Sequence, residues 1–201
     1  MSYPNISELL ESLRGASMAD QNKIVKEMRN DAIPALREAL RDPSPEVRQT
    51  AAKDVRKIVW NGRLLFLEGI IQLTIQPLVD GLQDQDPDVR MVFTDVLGSI
   101  ASKFSTEEDG LNMLNPQLKS MVSVIDKPLI AMLDDGSPEV RLAAANQVKW
   151  HSDKSVRERA RQMTIAALDD PNPDLQRRAA EMLKFDWDED VRNRANQMLS
   201  N

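Results

Sequence analysis

No cysteine occurs among the 201 residues. Disulfides, thiolate metal sites and cysteine nucleophiles are therefore excluded, and the chain suits a reducing compartment. There is one histidine, His151. A zinc site built on imidazoles has no second ring to use, and no His-Glu pair occurs. Glycine is scarce and never clustered, which rules out a phosphate-cradling loop. Aromatic residues are 4% of the chain, and Val, Ile, Thr and Tyr nowhere alternate with polar residues. Strand-rich folds lose their usual signal, and an all-α chain is expected. No apolar run reaches membrane-spanning length, because Leu64 to Leu82 is interrupted by Glu68, Gln72, Gln76 and Asp80. The opening Met1-Ser2-Tyr3-Pro4-Asn5 lacks the basic and apolar regions of a secretory signal. A cytoplasmic protein with no membrane partner is expected.

Charge is present in both signs. The formal net charge is −6, and residues 63–150 hold the excess of acids while the flanking stretches are nearly balanced. An acidic middle argues against a nucleic-acid partner, which demands a consistently basic face.

What the chain does have is one stretch written four times. Leu40-Arg41-Asp42-Pro43-Ser44-Pro45-Glu46-Val47-Arg48 returns as Leu82 to Arg90, Leu133 to Arg141 and Leu168 to Gln176. Each position has a physical task. Ser44, Asp86, Ser137 and Asn172 are N-cap residues, whose side-chain oxygens accept from the free amides at a helix start. Pro45, Pro87, Pro138 and Pro173 then occupy the first helical position, where a missing N–H costs nothing. Glu46, Asp88, Glu139 and Asp174 complement the helix dipole. After each corner an apolar stripe runs at helical spacing: Val47/Ala51/Val55, Val89/Phe93/Leu97, Val140/Ala144/Val148 and Leu175/Ala179/Leu183. Before three of the corners a Pro (Pro34, Pro77 or Pro128) kinks or starts the preceding helix.

The spacing predicts helix pairs over residues 31–61, 64–104, 116–151 and 153–185. Before them, Ile6 to Leu13 predicts a short helix, and Ser17 or Asp20 caps a second with Ile24, Val25 and Met28 inward. A last helix over 188–199 turns Val191, Ala195 and Leu199 inward. The corner aspartates are 42, 51 and 35 residues apart. The extra length falls in a longer helix from Leu64-Leu65-Phe66-Leu67 and in a loop over residues 105–116.

The pattern resembles HEAT repeats, including the HEAT-like repeats of bacterial proteins. The resemblance implies an Asp-to-Arg ladder between neighbouring repeats. Asp42/Arg48, Asp84/Arg90, Asp135/Arg141 and Asp186/Arg192 have its spacing. At the fourth corner Asp170 is followed by Gln176, leaving Arg177 or Arg178 as substitutes. The fold class expected is an all-α, right-handed solenoid of about five to six antiparallel helix pairs. It forms a single domain over 1–201, with a capping pair at 1–30, core repeats at 31–185 and a capping helix at 186–201.

In such stacks the second helices line the concave side, an extended binding surface. Counting away from the buried stripe selects Gln49, Lys53, Arg56 and Trp60, then Met91 and Asp95, then Leu142, Asn146 and Lys149, and finally Arg177. These are the candidate partner-binding residues, with Trp60, Met91 and Leu142 as apolar anchors. The competing interpretation is an ordinary solvated face. Trp150 and Phe185 share one repeat position and are expected to pack between repeats, with Trp187 covering the last core layer.

No catalytic, cofactor or metal residues are assigned. His151 sits beside Ser152 and Asp153 without further convergent partners, and an end-of-helix cap accounts for it. Asp84, Asp86 and Asp88 alternate as in a calcium loop, but the Gly and the closing Glu of an EF-hand are missing. HEAT-like deoxyhypusine hydroxylases carry repeated His-Glu motifs that are absent here. The basic groups Lys53/Arg56/Lys57 and Arg157/Arg159/Arg161 are solvated helix faces. The leading expectation is therefore a non-enzymatic scaffold or adaptor for a protein or peptide. The alternatives, by resemblance, are a phycobilin-lyase-like or phycobiliprotein-handling protein and a HEAT-like DNA glycosylase or DNA binder.

Overall fold

The computed structural model describes residues 5–61, 64–105, 120 and 123–200. Every regular element among them is helical. The chain divides into two compact units, Met1–Pro128 and Leu129–Asn201, and each is built by stacking antiparallel helix pairs.

In the N-terminal unit α1 covers Ile6–Gly15. Its N-cap, Asn5, accepts from the amides of Ser7 and Glu8, and Ile6, Leu10 and Leu13 are buried. Next come α2 (Met18–Glu27) and α3 (Ile33–Ala39). Ser17 supplies the cap of α2. A π-helical turn, Met28–Ala32, joins α2 to α3 with helical dihedrals throughout. The boundary expected at residue 30 therefore falls inside one continuous helical run. Pro34 supplies the reason. It cannot donate to the carbonyl four residues back, and a π turn re-registers the backbone there, with the Ile33 amide bonding the Met28 carbonyl instead.

After the first corner runs α4 (Pro45–Asn61). It is followed by α5 (Leu64–Asp80), which contains Pro77, and by α6 (Pro87–Ser105). The helix α5 is the longer first helix anticipated from Leu64. The main packing is α4 on α6, with α3 beside α5 and α1 against α4. Ala51, Val55, Ile58, Phe93, Leu97 and Ile100 fill the space between. The loop expected over 105–116 lies outside the described residues, apart from Ser105 at the end of α6.

Helix α7 (Asp126–Ala131) leads to the third corner. The C-terminal unit then holds α8 (Pro138–Val148), α9 (Lys154–Ala166), α10 (Pro173–Leu183) and α11 (Glu189–Ser200). Leu142, Leu168, Leu175, Ala179, Ala180, Leu183 and Ala195 form its core, with Val191 and Leu199 packed against it.

The corners are built as their residues dictate. The Asp carboxylate folds back to accept the amide two residues on: Asp42 from Ser44 at 2.9 Å, Asp84 from Asp86 at 2.9 Å, Asp135 from Ser137 at 2.8 Å and Asp170 from Asn172 at 2.8 Å. The Arg six residues later donates to the corner carbonyls, as Arg48 does to Asp42 and Pro43 at 2.7 and 2.9 Å. Gln176 does the same to Asp170 at 2.8 Å, so the fourth corner closes with Gln in the place of Arg. Arg48 also reaches the next corner, placing Nε 2.7 Å and Nη2 2.8 Å from the Asp84 carboxylate. That is the expected rung between repeats.

Two further corners follow second helices: the one at Asp186, whose spacing to Arg192 is that of the ladder, and one at His151 that the spacing of aspartates does not reveal. His151 Nδ1 accepts the Asp153 amide at 3.0 Å, and Arg157 donates to the His151 and Ser152 carbonyls at 2.6 and 2.7 Å. The equivalent residue in the following repeat is Asp186, which accepts from the Asp188 amide at 2.9 Å while Arg192 donates to its carbonyl at 2.9 Å. His151 thus replaces the usual aspartate of a corner.

Candidate functional site

Exposed faces of the second helices are where the sequence places a binding surface. In the N-terminal unit α4 buries Ala51, Ala52, Val55, Ile58 and Val59. One helical face turned from that core carries Lys53, Arg56 and Trp60, all exposed, with Gln49 half-buried at its start. Trp60 keeps 52% of its surface. Lys103 of α6 stands 5.3 Å from the Trp60 ring centre and donates to the Trp60 carbonyl at 3.5 Å. Met91 and Asp95, nearer the start of α6, are half-buried. Lys57 turns to another side, pairing with the buried Asp54 at 2.8 Å and with Ser7 of α1 at 3.3 Å.

In the C-terminal unit the expected stripe is only partly present. Lys149 and Arg177 are exposed and Asn146 is half-buried. Lys149 donates to Asn146 at 2.9 Å. Leu142, expected as an apolar anchor, is 3% exposed and packs with Leu168, Leu175 and Ala179. The reason is steric. A second helix inside a stack touches its own first helix and its neighbouring second helices, so α8 buries Val140, Leu142, Ala143, Ala144, Ala145 and Val148, much more than one stripe. Leu142 is a core residue.

Trp150, Phe185 and Trp187 also depart from expectation. They are 85%, 86% and 76% exposed. None packs between repeats or covers a core layer. Helix α8 ends at Val148 and α10 at Leu183, so Trp150 and Phe185 lie past the helix ends, where helical phase no longer says which way a side chain points. Lys184 is 5.4 Å from the Phe185 ring centre, and the Arg161 guanidinium is 4.4 Å from that of Trp187. Arg161 simultaneously grips Asp186 through two bonds of 2.9 Å. That grip holds the Asp186 carboxyl below the ordinary range and raises the guanidinium further.

A cleft of about 170 Å³ in the same unit is bordered by Arg141, Met163, Asp170 and Leu175. It is smaller than typical ligand pockets of ~300–1,000 Å³. Among the described residues no group of three or more His, Asp or Glu is placed to hold a metal ion, and no helix is long and apolar enough to cross a membrane.

The HEAT repeat family model matches residues 32–53, the segment that carries the first corner. No curated protein matches the chain. Among solved structures, an engineered protein aligns with a TM-score of 0.53 at 16% identity, covering 98% of both chains. A designed armadillo repeat protein in complex with the peptide (KR)4 aligns with a TM-score of 0.49 at 17% identity, covering 98% of this chain and 99% of that one. The fold is an all-α stack of helical repeats whose first corner carries the HEAT pattern.

Proposed function

We propose that the chain is a non-enzymatic interaction module that holds a protein or peptide partner on the exposed face of its second helices. The observation that carries the reading is the α4 face: Lys53, Arg56 and Trp60 stand in one exposed row. A half-exposed Trp between cations offers a large rigid contact area, and Trp and Arg dominate measured binding hot spots. The half-buried Met91 and Asp95 of the neighbouring α6 add an apolar and an acidic contact. A face with both charge signs and an aromatic at its end suits a protein surface. DNA would require uniform positive charge. Leu142 is left out of this surface, and Asn146, Lys149 and Arg177 form a corresponding row in the C-terminal unit.

The test is affinity capture from the source cell, followed by titration calorimetry of the purified partner against Trp60→Ala and Arg56→Glu. Trp60→Ala is expected to weaken binding by about 1–4 kcal/mol, the scale of an interface anchor, while the melting temperature stays unchanged. Equal affinity of both variants and the wild type would remove this face from the interaction.

A further inference from the structure

Aromatic side chains are few in this chain, yet three of them crowd one edge of the C-terminal unit in the open. Trp150 and Phe185 hold the same place in successive repeats, each two residues past the end of a second helix. Those helices, α8 and α10, pack side by side. Trp187 follows Phe185 around the same corner. The three rings are 76–86% exposed, and soluble chains seldom leave grouped large apolar side chains open without an interaction to make.

What such an edge takes is indicated by what the molecule already places there. Arg161 lies over Trp187 while both arms of its guanidinium hold Asp186. Indole and carboxylate together thus receive one planar cation, and the half-buried Asp188 stands 3.8 Å from the same guanidinium. The remaining corner residues repeat those ingredients on the open side. Asp153, Glu189 and Asp190 are exposed beside the exposed Lys154, while Arg157 and Arg192 are turned onto the corner carbonyls. Lys149 and Lys184 just before the corners are engaged by Asn146 and Glu181 at 2.9 and 2.8 Å.

We propose that the Trp150–Phe185–Trp187 edge is a docking surface for an arginine-bearing segment of a partner protein. Partner guanidinium groups stack on Trp150 and on the ring faces that Lys184 and Arg161 leave uncovered on Phe185 and Trp187, and pair with the corner carboxylates, as Arg161 does from within. This surface is separate from the second-helix face and does not depend on that reading.

The experiment uses the full chain and calorimetry with three short peptides: alternating Arg and Ser, alternating Lys and Ser, and alternating Glu and Ser. The arginine peptide is expected to bind, the lysine peptide to bind more weakly because it lacks the planar stack, and the glutamate peptide not to bind. Trp150→Ala with Phe185→Ala is expected to weaken the arginine peptide about tenfold. Trp60→Ala is expected to leave it unchanged, and circular dichroism confirms that each variant is folded. No binding of the arginine peptide at millimolar concentration, equal binding of the glutamate peptide, or loss through Trp60→Ala but not through the edge variants would each overturn the proposal. If only the edge variants fold poorly, Trp150→Gln and Phe185→Gln are the replacements, and binding that survives both refutes it.

Discussion

Gly81 and Phe93 share a space that other repeats fill differently. Three residues before the corner Asp the chain has Ala39, Gly81, Met132 and Ala167, and nine residues after it Ala51, Phe93, Ala144 and Ala179. Phe93 is fully buried, and a Cβ on Gly81 would overlap its ring. The large side chain on one helix is accommodated by the missing one on the other. Gly81→Ala is therefore expected to destabilise by about 1–3 kcal/mol through overpacking, and Phe93→Ala by about 3–5 kcal/mol through the cavity it leaves. The double variant has the Ala/Ala combination present at two other corners. It is expected to cost less than the two single changes together, by at least about 0.5 kcal/mol. Strict additivity in denaturant titrations would mean that the two sites do not share that space.

At the scale of elements, the corners hold the helix pairs together, and one rung carries a readable pH dependence. Arg161 on α9 and Asp186 before α11 are both largely buried. A carboxyl held low in the folded state contributes stability that is complete above its unfolded value, about 3.9. That contribution is lost as pH falls through the lower folded value. The stability difference between the wild type and Asp186→Asn is thus expected to be constant near neutrality and to shrink below about pH 4. Thermal melts that keep the same separation down to about pH 2 would show that the rung adds no such linkage. Much at this scale was legible from spacing alone. Cap, proline, acid and a Val or Leu locate four corners because each of those residues has a local task at a helix start. The corner at His151 was hidden because its aspartate is replaced. The Arg157 six residues on was the available signal. The continuity of Met18–Ala39 was hidden because a proline can be absorbed by a π turn as well as by a break.

For the molecule as a whole, the helical-repeat architecture followed from the recurrence of one corner, since a helix pair cannot bury its apolar face alone. Which residues face outward followed less well. Leu142 looked like surface because the second helix was assigned one buried stripe, whereas the stack buries it on several sides. Trp150 and Phe185 looked internal because helical phase was carried past Val148 and Leu183, where the helices stop. The α4 row of Lys53, Arg56 and Trp60 is readable because all three lie within one long uninterrupted helix, where helical phase holds to Asn61.

Within the C-terminal unit the contacts recur at a fixed 35-residue step. Arg159 bonds Asp134 and Arg194 bonds Asp169. Arg157 and Arg192 each donate to the carbonyl six residues earlier, and Lys149 and Lys184 each donate three residues back. A segment whose two ends make the same contacts is a tile. Copying residues 151–185 and inserting the copy after Phe185 would present Arg194 to a second Asp169 and a new Arg159 to the first. Two mismatches would arise: the original Arg161 meets the copied His151 instead of Asp186, and the original Arg177 takes the place that Leu142 holds against Leu168 and Leu175; writing the copied His151 as Asp and the original Arg177 as Leu restores both. The lengthened chain is expected to gain helical ellipticity in proportion to its added residues and to melt in one transition no lower than the parent's. A lower or two-step melt would show that the step cannot be extended. If it holds, the length of this protein can be changed by whole turns of its own pattern, and each added tile would bring one more exposed aromatic ring to the edge that Trp150 and Phe185 begin.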